Sequence, residues 1–134
     1  DAGSRLEAHD AYNFDDTATI YLVTQVGIPE LRNSNRLIKQ LQIEGGPKLE
    51  VVVNRFNAGS EGIDEDQVEK ALTQSVRWRV PNDYVSVRRM QNLGTPINHN
   101  DSDISRAIKK MGESICGLSV VPKDRKKKKL FNLF

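Results

Sequence analysis

The chain has 134 residues, of which 37% are hydrophobic and 28% are charged, so its composition is that of a soluble folded domain and excludes a disordered chain. Its single cysteine, Cys116, excludes an intrachain disulfide and favours a reducing compartment, and no apolar stretch approaches the roughly 20 residues that span a bilayer. Six cations and one aspartate give residues 120–134 a charge of +5, which leaves −3 for the rest of this +2 chain.

The first half of the sequence predicts two strands separated by a helix. Residues 19–25, TIYLVTQ, are rich in β-branched and aromatic side chains and predict a strand. Pro29 then suits the first turn of a helix, in which apolar residues recur at helical spacing until Gly45-Gly46-Pro47 ends it. The apolar run at 49–53, LEVVV, predicts a second strand that is buried on both faces.

The second half predicts one more strand and three helices. Asp64 is placed to cap a helix, and the alternating residues 76–80, VRWRV, predict a third strand. Asp83 is placed to cap the next helix. The last helix is predicted from about Ser102 to Cys116, and the cysteine is expected to be buried beside the apolar stripe of that helix.

The order β-α-β-α-β-α-α predicts an α/β fold with a parallel sheet covered by helices. In such sheets ligands bind beyond the carboxyl ends of the strands, and two polar segments follow strands here, Asn54-Arg55 and Pro81-Asn82-Asp83. They predict a site on one rim, although a plain strand exit and a turn with a helix cap are the alternatives. The sequence contains neither G-x-x-x-x-G-K-[ST] nor G-x-G-x-x-G, so this rim is expected to be half of a site.

Five stretches in chain order resemble the C-terminal half of the MinD/ParA family of deviant Walker ATPases, and they are most similar to pilus-assembly ATPases of the CpaE or TadZ type. The stretches cover nearly the whole chain and read DAGS, IYLVTQVGIPELRNSNRLI, VVVNRFN, VPNDY and NLGTPI. The resemblance implies a P-loop NTPase-like fold, of which residues 1–119 supply the C-terminal portion. Residues 120–134 form a separate basic and hydrophobic tail.

The resemblance also implies a site for ATP and Mg²⁺. Asp1 would be the catalytic acidic group and a magnesium ligand, and Gly3 would offer its backbone N–H to phosphate. Asn54 would read the adenine edge, because its amide supplies both a donor and an acceptor, and Arg55 would lie flat near the base. The other side of the purine would be lined by Pro81, Asn82 and Asp83.

The sequence departs from the family pattern at its beginning. The family's lysine-bearing phosphate loop lies upstream of any residue present, and because the chain starts with Asp1 instead of Met we expect it to be part of a longer protein. The stretch DAGS also lacks the proline that often stands two residues after the aspartate in MinD and ParA. Members of this group often carry an N-terminal domain that resembles a response-regulator receiver, and this chain is not itself such a domain.

The implied function is that of an ATP-binding localisation or assembly ATPase of a pilus or secretion system, a switch that forms a homodimer around ATP in the bacterial cytoplasm. A non-enzymatic scaffold that recruits pilus-assembly components is one alternative. Cargo positioning on DNA, as in ParA, is another. Because the phosphate loop is missing, we expect that this chain alone does not hydrolyse ATP and binds it weakly or not at all.

The tail places a cationic run next to large apolar residues and resembles the membrane-targeting tail of MinD. Each lysine near an anionic leaflet contributes roughly 1 kcal/mol, so the tail predicts peripheral contact with the inner membrane. A disordered solubilising tail is the alternative, and nucleic acid is disfavoured because no aromatic residue is interleaved among the lysines. The candidate membrane residues are Lys126, Lys127, Lys128, Lys129, Leu130, Phe131, Leu133 and Phe134.

Overall fold

Three parallel strands form one sheet with the order β1-β2-β3 in a computed structural model that describes residues 14–57 and 62–118. The strands alternate with helices along the chain, and this confirms the predicted α/β fold. The elements are β1 (Thr19–Thr24), α1 (Ile28–Leu41), β2 (Lys48–Phe56), α2 (Glu65–Leu72), β3 (Val76–Pro81), α3 (Tyr84–Leu93), a 3₁₀ helix (Ile97–His99) and α4 (Asp103–Ile115).

One face of the sheet is covered by α1 and α2, and we call it the α1–α2 face. The apolar spacing predicted for α1 is confirmed, because the residues at that spacing are the buried ones. They pack against alternate residues of the strands and against α2 to form the larger core. This core contains Leu22, Leu31, Leu37, Ile38, Leu41, Val51, Val53, Val68, Leu72 and Val76.

The opposite face, the α3–α4 face, is covered by the last two helices and has a smaller core. Val52 points to this face from the central strand and is buried with Val80, Met90 and Ile104. Since Val51 and Val53 are buried on the other side, β2 is covered on both faces, as its apolar run predicts.

Side-chain caps fix the starts of the two helices that follow β2 and β3. The Asp64 carboxylate accepts a hydrogen bond from the Gln67 N–H at 2.7 Å, and the Gln67 side chain accepts one from the Asp64 N–H at 2.9 Å. The Asp83 carboxylate accepts from the Ser86 N–H at 3.0 Å. Both predicted caps are therefore confirmed.

The structure differs from the sequence expectations by one residue at the ends of β1 and β3, and more substantially at three other points. β2 continues to Phe56 instead of ending at Val53, and a 3₁₀ helix lies in the segment expected to be a loop. The prediction that Cys116 is buried is wrong, because this residue is the C-cap of α4 and is exposed. The preceding Ile115 is also 53% exposed, so the last turn of α4 extends beyond the sheet that it covers.

Some predicted features fall outside the described residues, namely Asp1, Gly3 and the tail from Lys126 to Phe134. Within the ranges that are described, none of the helices is long and apolar enough to cross a membrane.

Candidate functional site

The carboxyl end of β2 is shaped by a β-bulge. Val53 pairs with Arg79 and Phe56 with Pro81, so β2 has one residue more than β3 between these two pairs. Arg55 adopts a φ of 53°, in the left-handed region that costs a non-glycine residue about 1–2 kcal/mol. The Arg55 N–H donates to the Asn54 side-chain oxygen at 2.9 Å. The bulge therefore holds Asn54 and Arg55 in a conformation that a regular strand does not provide.

The carboxyl end of β3 is tied to this bulge. The Asn82 N–H donates to the Phe56 carbonyl oxygen at 3.1 Å, one residue beyond the end of β3. Pro81 closes the strand, since it has no N–H of its own to donate. Directly afterwards Asp83 begins α3 by capping it. The two polar segments, about 27 residues apart in sequence, are thus held side by side at the same edge of the sheet.

A cavity of about 620 Å³ opens beside these two segments on the α3–α4 face. Its volume is within the range of roughly 300–1,000 Å³ that is usual for small-molecule sites. Polar groups lie at its rim, and apolar side chains from β3, α3, the 3₁₀ helix and α4 form its floor. Its lining consists of Asn54, Arg55, Val80, Pro81, Asn82, Asp83, Tyr84, Val87, Ile97, Ile104 and Ile108.

The structure brings all five predicted rim residues of the described chain to this one cavity: Asn54, Arg55, Pro81, Asn82 and Asp83. Sequence reasoning missed the apolar floor. Its signals were present, because Ile104 and Ile108 lie one helical turn apart on the stripe of α4. The sequence did not reveal that the first half of the apolar stripe of α4 lies beside the polar segments at the carboxyl ends of β2 and β3.

The chemistry of this rim suits a flat polar ligand. One oxygen lone pair of the Asn54 amide is engaged by the Arg55 N–H, and among the described residues the NH₂ group and the second lone pair are left for a ligand. The Arg55 side chain is exposed and brings a planar cation. The Asp83 carboxylate is already engaged in capping α3. In the ranges that the structure describes, no group of three or more His, Cys, Asp or Glu is placed to hold a metal ion.

Asn54 also borders a second, smaller cavity of about 170 Å³ between β1 and the start of α1. There the Ser34 hydroxyl donates to the Thr24 hydroxyl oxygen at 2.8 Å, and both residues are buried. This bond fixes the first turns of α1 to the carboxyl end of β1. Asn54 therefore stands between two concave regions at the carboxyl ends of the strands, and the larger region is the one with an apolar floor.

Comparison with known proteins finds a likeness at the level of structure. The chain is similar to the crystal structure of a ParA family ATPase from Chlorobium tepidum TLS, with a TM-score of 0.60 and 23% sequence identity over 72% of this chain and 40% of that chain. The α/β fold of the present chain matches part of a ParA-type P-loop NTPase. At this identity the likeness establishes the fold alone, and the chain spans less than half of the length of that ATPase. No protein-family profile and no curated protein matches the sequence.

Proposed function

We propose that this chain forms the base-binding part of a nucleotide-binding ATPase of the MinD/ParA type. The observation that carries the proposal is the convergence of Asn54-Arg55 and Pro81-Asn82-Asp83 on one cavity with an apolar floor. The ParA-type fold supports it, because in open α/β sheets of this kind ligands bind at the carboxyl ends of the strands.

The proposed ligand of the cavity is the adenine base of ATP. The free NH₂ and the remaining lone pair of Asn54 match an acceptor and a donor on the purine edge. The Arg55 guanidinium stacks on one face of the ring, and the wall formed by Pro81 and Asn82 contacts the other. The floor, which includes Val80 and Ile104, excludes water from the ring.

The phosphates and Mg²⁺ are proposed to bind outside the described residues. Asp1 would be the acidic group near the magnesium and Gly3 a phosphate donor, completed by a lysine-bearing loop that this sequence does not contain. ATP would hold two copies together as a homodimer, and hydrolysis would release them.

Within this class, we propose an assembly or localisation ATPase of a pilus or secretion system, similar to the CpaE/TadZ type, in the bacterial cytoplasm. The support is the ordered set of sequence stretches given above. The basic and hydrophobic tail would add peripheral contact with an anionic membrane. Vesicles rich in anionic lipid are expected to sediment the full chain but not one shortened before Lys126, and equal sedimentation of both would remove the tail from the proposal.

A scaffold of the same fold without hydrolysis is a second candidate. The residues upstream of Asp1 decide between the two, since a lysine-bearing phosphate loop there favours the ATPase. Positioning of cargo on DNA is a third candidate, which rests on the resemblance of the sequence stretches to the MinD/ParA family. It predicts nucleotide-dependent DNA binding that weakens steeply with added salt, and a flat salt dependence would exclude it.

The test is a titration of the chain with adenosine, ATP and cytidine. Adenosine and ATP are expected to bind with similar, weak affinity, because the described contacts reach the base and not the phosphates, and cytidine is expected not to bind. Asn54→Ala should weaken adenosine binding by about tenfold, the effect of losing a hydrogen-bonding side chain at the base. Equal binding of cytidine, or an unchanged affinity in Asn54→Ala, would contradict the proposal. The chain alone is expected to show no ATP turnover.

A further inference from the structure

A second large cavity lies on the α3–α4 face, between β3 and the second half of α4. Its volume is about 450 Å³, and it shares only Val80 with the cavity at the rim. Nothing proposed so far assigns it a ligand. Its lining consists of Arg77, Trp78, Arg79, Val80, Ala107, Lys110, Met111 and Ser114, with no carboxylate among them.

Two of the lining cations, Arg77 and Lys110, form no salt bridge among the described residues. Arg77 nevertheless lies near enough to the Glu50 carboxylate to add to the effect of Lys48 in lowering the pKa of that carboxyl. The Arg77 guanidinium lies over the Trp78 ring, 5.1 Å from its centroid. The indole is itself fixed, because its N–H donates to a Glu50 carboxylate oxygen at 3.0 Å. One cation of the cavity is therefore held on an ordered aromatic platform before any ligand arrives.

The third lining cation, Arg79, directs its guanidinium to α2. Its Nη2 atom pairs with Glu65 and with Glu69, the latter at 3.3 Å. Its Nε atom is buried and has no hydrogen-bond partner among the described residues, and a buried donor without an acceptor is unfavourable. The charge of Arg79 is balanced by two carboxylates of α2, which leaves Arg77 and Lys110 as the cations of this cavity that a ligand can pair with.

From this arrangement we propose that the cavity binds an acidic peptide segment of a partner protein. A carboxylate of the segment lies between Arg77 and Lys110, since a guanidinium holds a carboxylate through paired hydrogen bonds. A neighbouring apolar side chain of the segment packs on Val80 and Met111, which are buried or half-buried at the cavity floor.

A phosphate backbone fits this cavity less well than a peptide carboxylate does. A nucleic acid needs an extended row of cations, whereas Arg79 is already paired with Glu65 and Glu69 of α2. Among the described residues that line this cavity, only Arg77 and Lys110 remain as cations without a salt bridge. The cavity is also concave with an apolar floor, which offers a pocket for a side chain. The proposal goes beyond nucleotide binding and does not depend on it.

The experiment uses the full chain and the fluorescence of Trp78, the single tryptophan of the sequence, which lines the cavity. The probe is a short peptide in which two glutamates flank a leucine, without tyrosine or tryptophan. It is expected to change the indole emission saturably, and the same peptide with glutamines is expected to bind at least about tenfold more weakly because it lacks the charge. Equal binding of both peptides would overturn the proposal.

Matched variants test whether the peptide binds in the cavity beside Trp78. Arg77→Ala and Lys110→Ala should each lower the affinity for the glutamate peptide by about tenfold, as expected for lost hydrogen bonds to a charged group. Lys109→Ala removes the same charge from the adjacent residue, which does not line the cavity, and should leave the affinity unchanged. A loss in Lys109→Ala as large as in Lys110→Ala would overturn the proposal, and so would tighter binding of a short DNA duplex than of the peptide.

Saturating adenosine serves as a final control. It should leave the peptide affinity unchanged, because the two cavities share a single residue. Failure of adenosine binding with intact peptide binding would remove only the nucleotide proposal, and the reverse result would remove only this one.

Discussion

The two faces of the sheet are formed by the same three strands, but the helices that cover them leave different amounts of unfilled space. On the α1–α2 face Ile38 and Leu72 are both 0% exposed, and their cluster is continuous. On the α3–α4 face the core is smaller, and the cavities of about 620 Å³ and 450 Å³ remain beside it. Close packing without voids gives stability, and concave apolar space gives ligand sites. The difference suits a division in which the α1–α2 face contributes most of the stability and the α3–α4 face carries the two proposed ligand sites.

The largest expected effect comes from truncating a buried side chain on each face. Leu72→Ala should lower the free energy of unfolding by about 3–4 kcal/mol, because it leaves a closed void in the α1–α2 core. Ile104→Ala should cost roughly 2 kcal/mol, at the low end for such a truncation, since Ile104 already borders the open rim cavity. Urea unfolding at neutral pH measures both. Equal losses of unfolding free energy in the two variants would contradict the proposed difference in packing between the two faces.

An intermediate effect is expected from removing the helix cap on each face. Asp64→Ala and Asp83→Ala should each lower the free energy of unfolding by about 1 kcal/mol, because each removes one side-chain acceptor from a helix start. Only Asp83→Ala should also weaken adenosine binding, since only Asp83 lies at the rim cavity. If Asp64→Ala weakens adenosine equally, the effect arises from general destabilisation instead.

The smallest expected effect is a pH dependence contributed by Glu50 on the α3–α4 face. The Lys48 ammonium at 2.5 Å lowers the pKa of the Glu50 carboxyl below its ordinary value of 4.5, and the Trp78 N–H adds to this. A carboxyl with a lowered folded-state pKa contributes stability that is present above its unfolded pKa and is lost as the pH falls through the folded value.

The free energy of unfolding should therefore decrease below about pH 4.5 by a component that Glu50→Gln removes. Urea unfolding between pH 6 and pH 3, compared between the two proteins, measures that component. Lys48→Gln serves as the matched variant and should reduce the same component. Parallel curves for the parent chain and Glu50→Gln would show that the buried carboxyl does not stabilise the fold in this way.

Much of the fold was predictable because its signals are local. The spacing of apolar residues in α1, the caps Asp64 and Asp83, and the apolar run of β2 each specify a structure without reference to distant residues. The convergence of the two rim segments also followed, because strand direction alone places both at the same edge of a parallel sheet.

What could not be predicted depends on contacts between distant segments. The bulge at Arg55 arises from the register between β2 and β3, which no local pattern specifies. The cavity beside Trp78 lies between β3 and the second half of α4, and the apolar stripe of α4 gave no sign of a gap there. Cys116 was misjudged because the sequence does not show where the sheet beneath α4 ends.

The most direct test of the nucleotide site is a two-dimensional NMR map of the chain titrated with adenosine. The side-chain amide of Asn54 and the backbone amides of Arg55 and Asn82 should show the largest shifts, because they stand at the rim of the proposed base cavity. The Trp78 indole should not shift. Shifts that are absent from these three amides, or that centre on the helices of the α1–α2 face, would contradict base binding at this rim.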